Sequence, residues 1–271
     1  MTTMHHYSLH IILAAAILAG CSVKENRDDC PAYLTVRSDG HTGEPLDGKI
    51  LSYILASESE PLLERAEGAF QEFASPRGRI FRVPRRERVD VTVLAGVRKA
   101  FLQGDLLKIP SGDECDSLVC GSASIWIPGD LGEVRMPLYR SWCNLRMDLV
   151  GQADDPCPYY FLVLSGTDGL TVPGLEPHAG AFRVRRDTLV RNGFSVRLPR
   201  QADDALSVEV RLLEDRSLVT DLPVGAILAG MGYDWRKPDL DDIRLDIDFS
   251  RTTLTVSVAD WSEAVTIRIT I

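Results

Sequence analysis

The chain has 271 residues, of which 45% are apolar and 25% charged, the proportions of an ordinary globular protein. This composition excludes a disordered chain, a collagen-like chain and a polytopic membrane protein. With 39 acidic against 30 basic side chains the net charge is −9, and aromatics are only 7%, so neither the positive footprint nor the stacking platforms of a nucleic-acid binder are present.

Residues 1–20 contain no Lys, Arg, Asp or Glu, and the apolar run from Ile11 to Ala19 has signal-peptide length, too short to span a bilayer as a helix. It ends in Leu18-Ala19-Gly20-Cys21. Small residues directly before a Cys resemble the bacterial lipobox. The resemblance implies cleavage by signal peptidase II after Leu18, Ala19 and Gly20, and diacylglycerol on the Cys21 thiol. The amino-terminal region departs from the pattern, carrying His5, His6 and His10 but no Lys or Arg. No other segment approaches ~18 apolar residues, so acyl chains are the expected membrane attachment, each buried CH₂ contributing ~0.8 kcal/mol. Residues 22–29 are charged and aperiodic and read as a short tether, which places the lipidated tether at 21–30.

From residue 31 onward the dominant pattern has period two, the mark of half-buried strands. In chain order the expected strands are Ala32–Arg37, Lys49–Ala56, Arg79–Val83, Arg88–Ala95, Ser122–Ile127 and Glu133–Tyr139. They continue with Cys143–Val150, Tyr159–Ser165, Ala181–Arg186, Phe194–Leu198, Leu206–Glu214, Ile243–Phe249, Thr253–Val258 and Ala264–Ile271. Asp39-Gly40, Pro128-Gly129-Asp130, Pro173-Gly174 and Asn192-Gly193 punctuate them. Helix is expected only at Pro61–Phe73, where positions 62, 66, 69, 70 and 73 share a helical face despite Gly68, and over one or two turns at Leu222–Leu228. Many short strands between Gly/Pro turns argue for all-β sandwiches. The boundary is expected near Arg140–Trp142, giving an N-terminal β-sandwich over 31–140 and a C-terminal one over 141–271. No sequence repeat links the halves.

Catalytic signatures are missing. Beyond residue 20 the only histidines are His41 and His178, and there is no G-x-S-x-G elbow, phosphate loop, dinucleotide fingerprint or H-E-x-x-H. The chain is therefore not expected to be an enzyme, and no metal or cofactor is expected. The acidic run Asp239, Asp241, Asp242, Asp246 and Asp248 lacks the order and Gly of a calcium loop, and alternation with Leu245, Ile247 and Phe249 makes it a solvated strand face. Arg77, Arg79, Arg82, Arg85, Arg86 and Arg88 likewise alternate with Ile80, Phe81, Val83 and Val89 and read as an exposed strand face and turn, the alternative being a dock for an acidic partner or lipid headgroups. Five cysteines remain besides Cys21: Cys30, Cys115, Cys120, Cys143 and Cys157. An odd number leaves at least one unpaired within the chain, and Cys115 and Cys120 are near enough to close a small loop if geometry permits.

The last strands carry the sharpest pattern. Leu254, Val256 and Val258, then Val265, Ile267, Ile269 and Ile271, alternate with polar residues to the final position. An unguarded apolar edge needs a partner, and these seven residues are candidates for strand exchange with another subunit.

Several of these pieces resemble the FimB/Mfa2 family of Bacteroidales fimbrial lipoproteins. The lipid Cys, the charged tether Val23–Asp29, Cys30-Pro31 and the strand Tyr33–Val36 form the family's amino-terminal motif. Val89–Gly96 looks like its strand ending in Ala-Gly, with Leu94 where an aromatic is usual. Met136–Arg140 resembles the opening of the second domain, and Asp241–Phe249, Thr253–Val258 and Asp260-Trp261 resemble the closing strands. Acidic residues close behind the lipid Cys also resemble the surface-export signal of Bacteroidetes lipoproteins. The resemblance implies two tandem transthyretin-like β-sandwich domains after a lipoprotein signal peptide. It implies a lipid-anchored accessory or anchor subunit of fimbriae, held in the outer membrane by acyl chains and exposed at the surface. Its partners would be fimbrillin-type stalk subunits, joined by strand exchange in support of adhesion. In related stalk subunits an Arg-specific protease removes the first strand; anchors are thought to keep it, so Arg37 is expected to remain uncut. The alternative is a surface glycan-binding lipoprotein, which would need Trp126, Trp142, Trp235 or Trp261 exposed with Tyr in one cleft.

Overall fold

The computed structural model describes residues 30–39, 50–69, 78–150, 157–187, 193–262 and 264–269. Among them are 19 strands and one helix, so the protein is nearly all β. Every strand with clean alternation buries its apolar set. In β1 (Ala32–Asp39) Leu34 and Val36 point inward while Tyr33 is exposed; in β18 (Thr253–Val258) Leu254, Val256 and Val258 do the burying.

In the first half, β1 lies between β4 (Arg79–Val83), antiparallel, and β9 (Leu131–Pro137), parallel, in a three-stranded sheet. Facing it is a five-stranded sheet ordered β10-β8-β5-β2-β3, built from β2 (Ile50–Ser57), β3 (Glu64–Ala69), β5 (Arg88–Ala95), β8 (Val119–Trp126) and β10 (Tyr139–Arg140). Leu34, Val36 and Phe81 from one sheet and Tyr53, Leu55, Val91 and Val93 from the other form one core.

The second half repeats the arrangement. β11 (Trp142–Val150) lies between antiparallel β14 (Gly193–Pro199) and parallel β17 (Ile243–Asp248). Here the sheet continues through β18 to β19 (Ala264–Arg268), giving the order β14-β11-β17-β18-β19. The opposing sheet runs β16-β15-β12-β7-β6, with β13 also on β12. Its strands are β6 (Phe101–Gln103), β7 (Leu106–Lys108), β12 (Tyr159–Thr171), β13 (Pro177–Arg186), β15 (Ser207–Leu212) and β16 (Leu218–Leu222). Leu145, Met147, Phe161, Val163, Leu245 and Val256 share its core. The helix α1 (Val224–Met231) follows β16 and stops at Gly232, whose φ of 82° suits glycine. No described helix is long and apolar enough to cross a membrane.

The β6–β7 hairpin precedes Arg140 in sequence yet pairs with the far end of β12, Leu107 opposite Leu170. A third core of Ile54, Leu94, Leu107, Leu118, Cys120, Leu170 and Val172 fills the seam between the halves. Gly169 makes this possible: a Cβ there would lie 2.4 Å from the Leu107 carbonyl oxygen.

The Pro61–Phe73 helix expectation is corrected. Glu64–Ala69 is an edge strand, with Ala66 buried opposite Tyr53. Pairing with the open edge of β2 outweighs a helical pattern already weakened by Gly68. Residues 70–73 lie outside the described residues. The second expected helix is present but displaced towards the carboxy end: it runs Val224–Met231, and Leu222 closes β16.

Candidate strand-exchange elements and a cleft between the sheets

The residues of the lipidation motif, Leu18, Ala19, Gly20 and Cys21, lie outside the described residues, as does Ile271. The other exchange candidates are brought together as two neighbouring strands, Leu254 opposite Ile267 and Val256 opposite Val265, with the Thr255 and Thr266 hydroxyls 2.9 Å apart on the outer face. The two strands are not equivalent. β18 is hydrogen-bonded on both sides, and Leu254, Val256 and Val258 are fully buried. Among the described residues β19 is the sheet edge, short and paired only with β18; Val265 and Ile267 are half-buried and Ile269 just beyond it is buried.

β1 is the opposite case. It is paired on both sides, and Ala32, Leu34 and Val36 are inaccessible. Arg37 sits within the strand rather than at its end, opposite Arg135 of β9 and 3.3 Å from the Glu133 carboxylate. Next to it the Ser38 hydroxyl meets the Tyr53 hydroxyl at 3.3 Å, and burial pushes the phenol up to about 12.

The acidic run divides: Asp246 and Asp248 lie on β17, as the alternation predicts, whereas Asp239, Asp241 and Asp242 lie in the loop before it, where charge pairing and not strand alternation holds them. Asp242 accepts from the Arg140 guanidinium and from the Asn144 backbone N–H at 2.8 Å, and Asp239 accepts from the Arg140 N–H at 2.8 Å. Asp241 pairs with Lys237 and Asp246 with Arg244, while the Ser250 hydroxyl, 2.6 Å away, holds the Asp248 carboxyl below its ordinary range. Among the described residues no group of three or more His, Cys, Asp or Glu could hold a metal ion.

Cys115 and Cys120 do not bridge. With Cys143 they are buried free thiols, and desolvation pushes Cys120 up to about 11 and Cys143 to about 12. The Asp168 carboxylate accepts from His178 Nδ1–H, 2.8 Å away; Asp168 is buried and also faces Lys108 Nζ at 3.5 Å. No described Ser or Cys hydroxyl or thiol is hydrogen-bonded to the ring, so this is a pin between β7, β12 and β13.

A cleft of about 770 Å³ opens where the two halves meet. β8 and β10 contribute Ser122 and Tyr139, the β12–β13 turn contributes Glu176, and the loops after β14 and α1 contribute Arg200, Gln201 and Trp235. Arg200 braces the last loop, donating to the carbonyls of Trp235, Lys237 (2.7 Å) and Pro238 (2.9 Å), and burial lowers its pKa from the ordinary guanidinium value. Gln201 is buried; its Nε2 donates to the Pro199 carbonyl at 2.6 Å, while its Oε1 has no partner among the described residues. Of the four tryptophans only Trp235 lines this cleft: Trp142 is buried, Trp126 is on β8 far from it, and Trp261 packs with Trp235 around Tyr233. The cleft carries no signal in the sequence because its wall joins β8 to a loop more than 100 residues further on, with no local pattern.

No protein-family model matches the sequence, and no curated protein matches it. The fold does match solved structures. A Bacteroides thetaiotaomicron protein, provisionally described as polysaccharide-binding, aligns with a TM-score of 0.64 at 11% identity, over 88% of this chain and 98% of that one. The fimbrial anchor protein Mfa2 from Porphyromonas gingivalis aligns with 0.63 at 8% identity, over 86% and 98%. A Bacteroides ovatus protein provisionally described as an adhesin aligns with 0.61 at 12% identity, over 90% and 97%. At these identities the shared property is the fold. It is the class of fold that the FimB/Mfa2 resemblance implies.

Proposed function

We propose that the protein is a lipid-anchored accessory or anchor subunit of fimbriae, attached to the outer membrane through acyl chains on Cys21 and joined to a fimbrillin-type stalk subunit by exchange of β19. Its role is structural and adhesive, not enzymatic. The observation that carries this reading is the contrast between β1 and β19. β1 is locked between two strands over the core, as a strand kept by a base subunit should be. β19 is an apolar-alternating edge strand with one neighbour. Exchanging it trades one set of backbone bonds for an equivalent set in the partner, so the net cost is small. The fold shared with Mfa2 supports the same reading.

The test is a pulldown from membranes with the full chain and with a form ending at residue 263. Cutting at residue 253 would remove buried β18 as well. Recovery of a fimbrillin-like protein by the full chain alone, with both forms showing the same circular dichroism, is expected. Equal recovery by both removes β19 from the contact, and recovery of no pilin by either overturns the reading. A second variant, Val265→Asp with Ile267→Asp, gives the same answer if the truncation aggregates.

A second reading, surface glycan binding, rests on the cleft, where Tyr139 and Trp235 stand beside Ser122, Gln201 and Glu176. Retention on a polysaccharide column that Tyr139→Ala abolishes would establish it.

A further inference from the structure

Strand register places an unusual set of side chains at one end of the first half. On the outer face of the three-stranded sheet, Tyr33 stands opposite Arg82 of β4 and Leu131 of β9. On the outer face of the five-stranded sheet, Trp126 stands opposite Arg88. All five are exposed: Leu131 is 76% accessible, Trp126 52% and Tyr33 49%. An aromatic beside an arginine thus sits at the same end of both faces. The loops there are knit together. Tyr33 N–H donates to the Asp130 carbonyl, Arg86 N–H to the Ile127 carbonyl, and Ile127 N–H to the Glu87 carbonyl. The carboxylates at this end are partly engaged, Asp130 by Arg85 and Glu87 by the Ser59 hydroxyl at 2.7 Å, with Glu58 and Glu60 exposed on the neighbouring β2–β3 turn beside exposed Leu62.

This is also where the chain enters the fold. Cys30 and Pro31 lead directly into β1. The nine peptide steps from Cys21 to Cys30 reach about 30 Å at full extension, so a lipid on Cys21 holds this end within that distance of the bilayer. Trp and Tyr favour the membrane interface, and Arg can extend its guanidinium to phosphates from beside them.

We propose that this end of the first half rests on the phosphate-bearing lipid surface to which the chain is tethered, with Trp126, Leu131 and Tyr33 entering the interface and Arg82 and Arg88 meeting the headgroup phosphates. The proposal deepens the anchor reading by giving the subunit a fixed stance: β1 and β9 rise from the membrane, with Asp39 and Pro137 at their distal ends.

The test uses the chain with Cys21→Ser, which accepts no acyl group, so its outcome does not depend on lipidation or on pilin recovery. The probe is vesicles of phosphatidylethanolamine and phosphatidylglycerol. The expected result is measurable partitioning with a blue-shifted tryptophan emission, a shift that Trp126→Phe removes. Trp126→Glu with Leu131→Glu is expected to weaken partitioning roughly tenfold, equivalent to about 1.4 kcal/mol. Arg82→Glu with Arg88→Glu is expected to remove its dependence on phosphatidylglycerol. No partitioning by a chain of native circular dichroism overturns the proposal. Partitioning that survives both double substitutions overturns it too. If the vesicles are ignored but the Trp126/Leu131 variant loses its stalk subunit in a pulldown, the patch is a protein contact and the proposal fails.

Discussion

The two sheets that carry β1 and β11 begin alike and end differently. Each opens a half of the chain with a strand set between an antiparallel and a parallel neighbour. The first sheet stops at β9, whose exposed face carries Glu133 and Arg135 and whose last residue is Pro137. Charges and a proline are what keep a sheet edge from accepting another strand. The second sheet goes on through β18 to β19, whose exposed face carries Ala264, Thr266 and a single charge, Arg268, and which has no proline. The three-strand unit is therefore enough to close a core, as the first half demonstrates. β18 has become part of the second core, and β19 is an addition to it.

That comparison can be broken most sharply at the central strands. Leu34→Ala and Leu145→Ala, at fully buried and topologically matched positions, are each expected to cost about 3 kcal/mol. Denaturant unfolding that finds either near zero would mean the strand is not integral to its core.

Alkali probes both halves next, since Tyr53 and Cys120 in the first and Cys143 in the second are all raised by burial. Cys143 on β11 has its thiol raised by burial from the ordinary 9 to about 12. The folded state holds the proton more tightly than the unfolded one, so the contribution is complete below pH 9 and is lost as pH rises from 9 towards 12. Stability measured over that window is expected to fall, and Cys143→Ala to flatten the fall. At neutral pH, Cys115, Cys120 and Cys143 are expected to resist a thiol reagent until denaturant is added, whereas exposed Cys30 reacts at once.

Ile267→Ala on β19 is expected to cost only about 1 kcal/mol, since the side chain is half-buried at the edge. A cost equal to that of Leu34→Ala would make β19 a core strand and count against its exchange. Smallest of all is Arg37→Ala, whose ion pair with Glu133 is partly exposed and contributes at most about 1 kcal/mol. The same position sharpens the contrast kinetically. An Arg-specific protease is expected to leave the Arg37–Ser38 bond intact, because that backbone is paired within the sheet, and a mature form beginning at Ser38 would refute it.

Much of the fold is legible in the sequence. The bounds of β4 and β18 coincide with the alternation that marks them, because one face of each is buried and the other more open; β5 also has the expected bounds, although from Val91 to Ala95 both of its faces are buried. Five strands are not legible that way, among them the two-residue β10, which the alternation merges with β9. β6 and β7 are three residues each, too short to display a period; β16 turns the polar Thr220 inward and leaves Leu218 exposed; β3 carries a helical pattern and becomes a strand because β2 offers it an edge. The exchange candidates were read as one stripe, but burial divides them, since a one-dimensional pattern records which residues are apolar and not how many neighbours a strand has. The cleft left no trace in the pattern at all.

The order of residues by itself determined the strand-rich class of the molecule, the inward face of most strands and the neighbourhood of the helix at Val224–Met231. These follow from local spacing and side-chain chemistry. Only the tertiary structure decided which strands are central and which lie at an edge, that the β6–β7 hairpin stitches the halves together, and that Tyr33, Arg82, Arg88, Trp126 and Leu131 gather at one end. Those depend on pairings between residues 98 positions apart, as in Tyr33 with Leu131 and Leu145 with Ile243, and hydrogen bonds across that distance are set by the whole core closing at once.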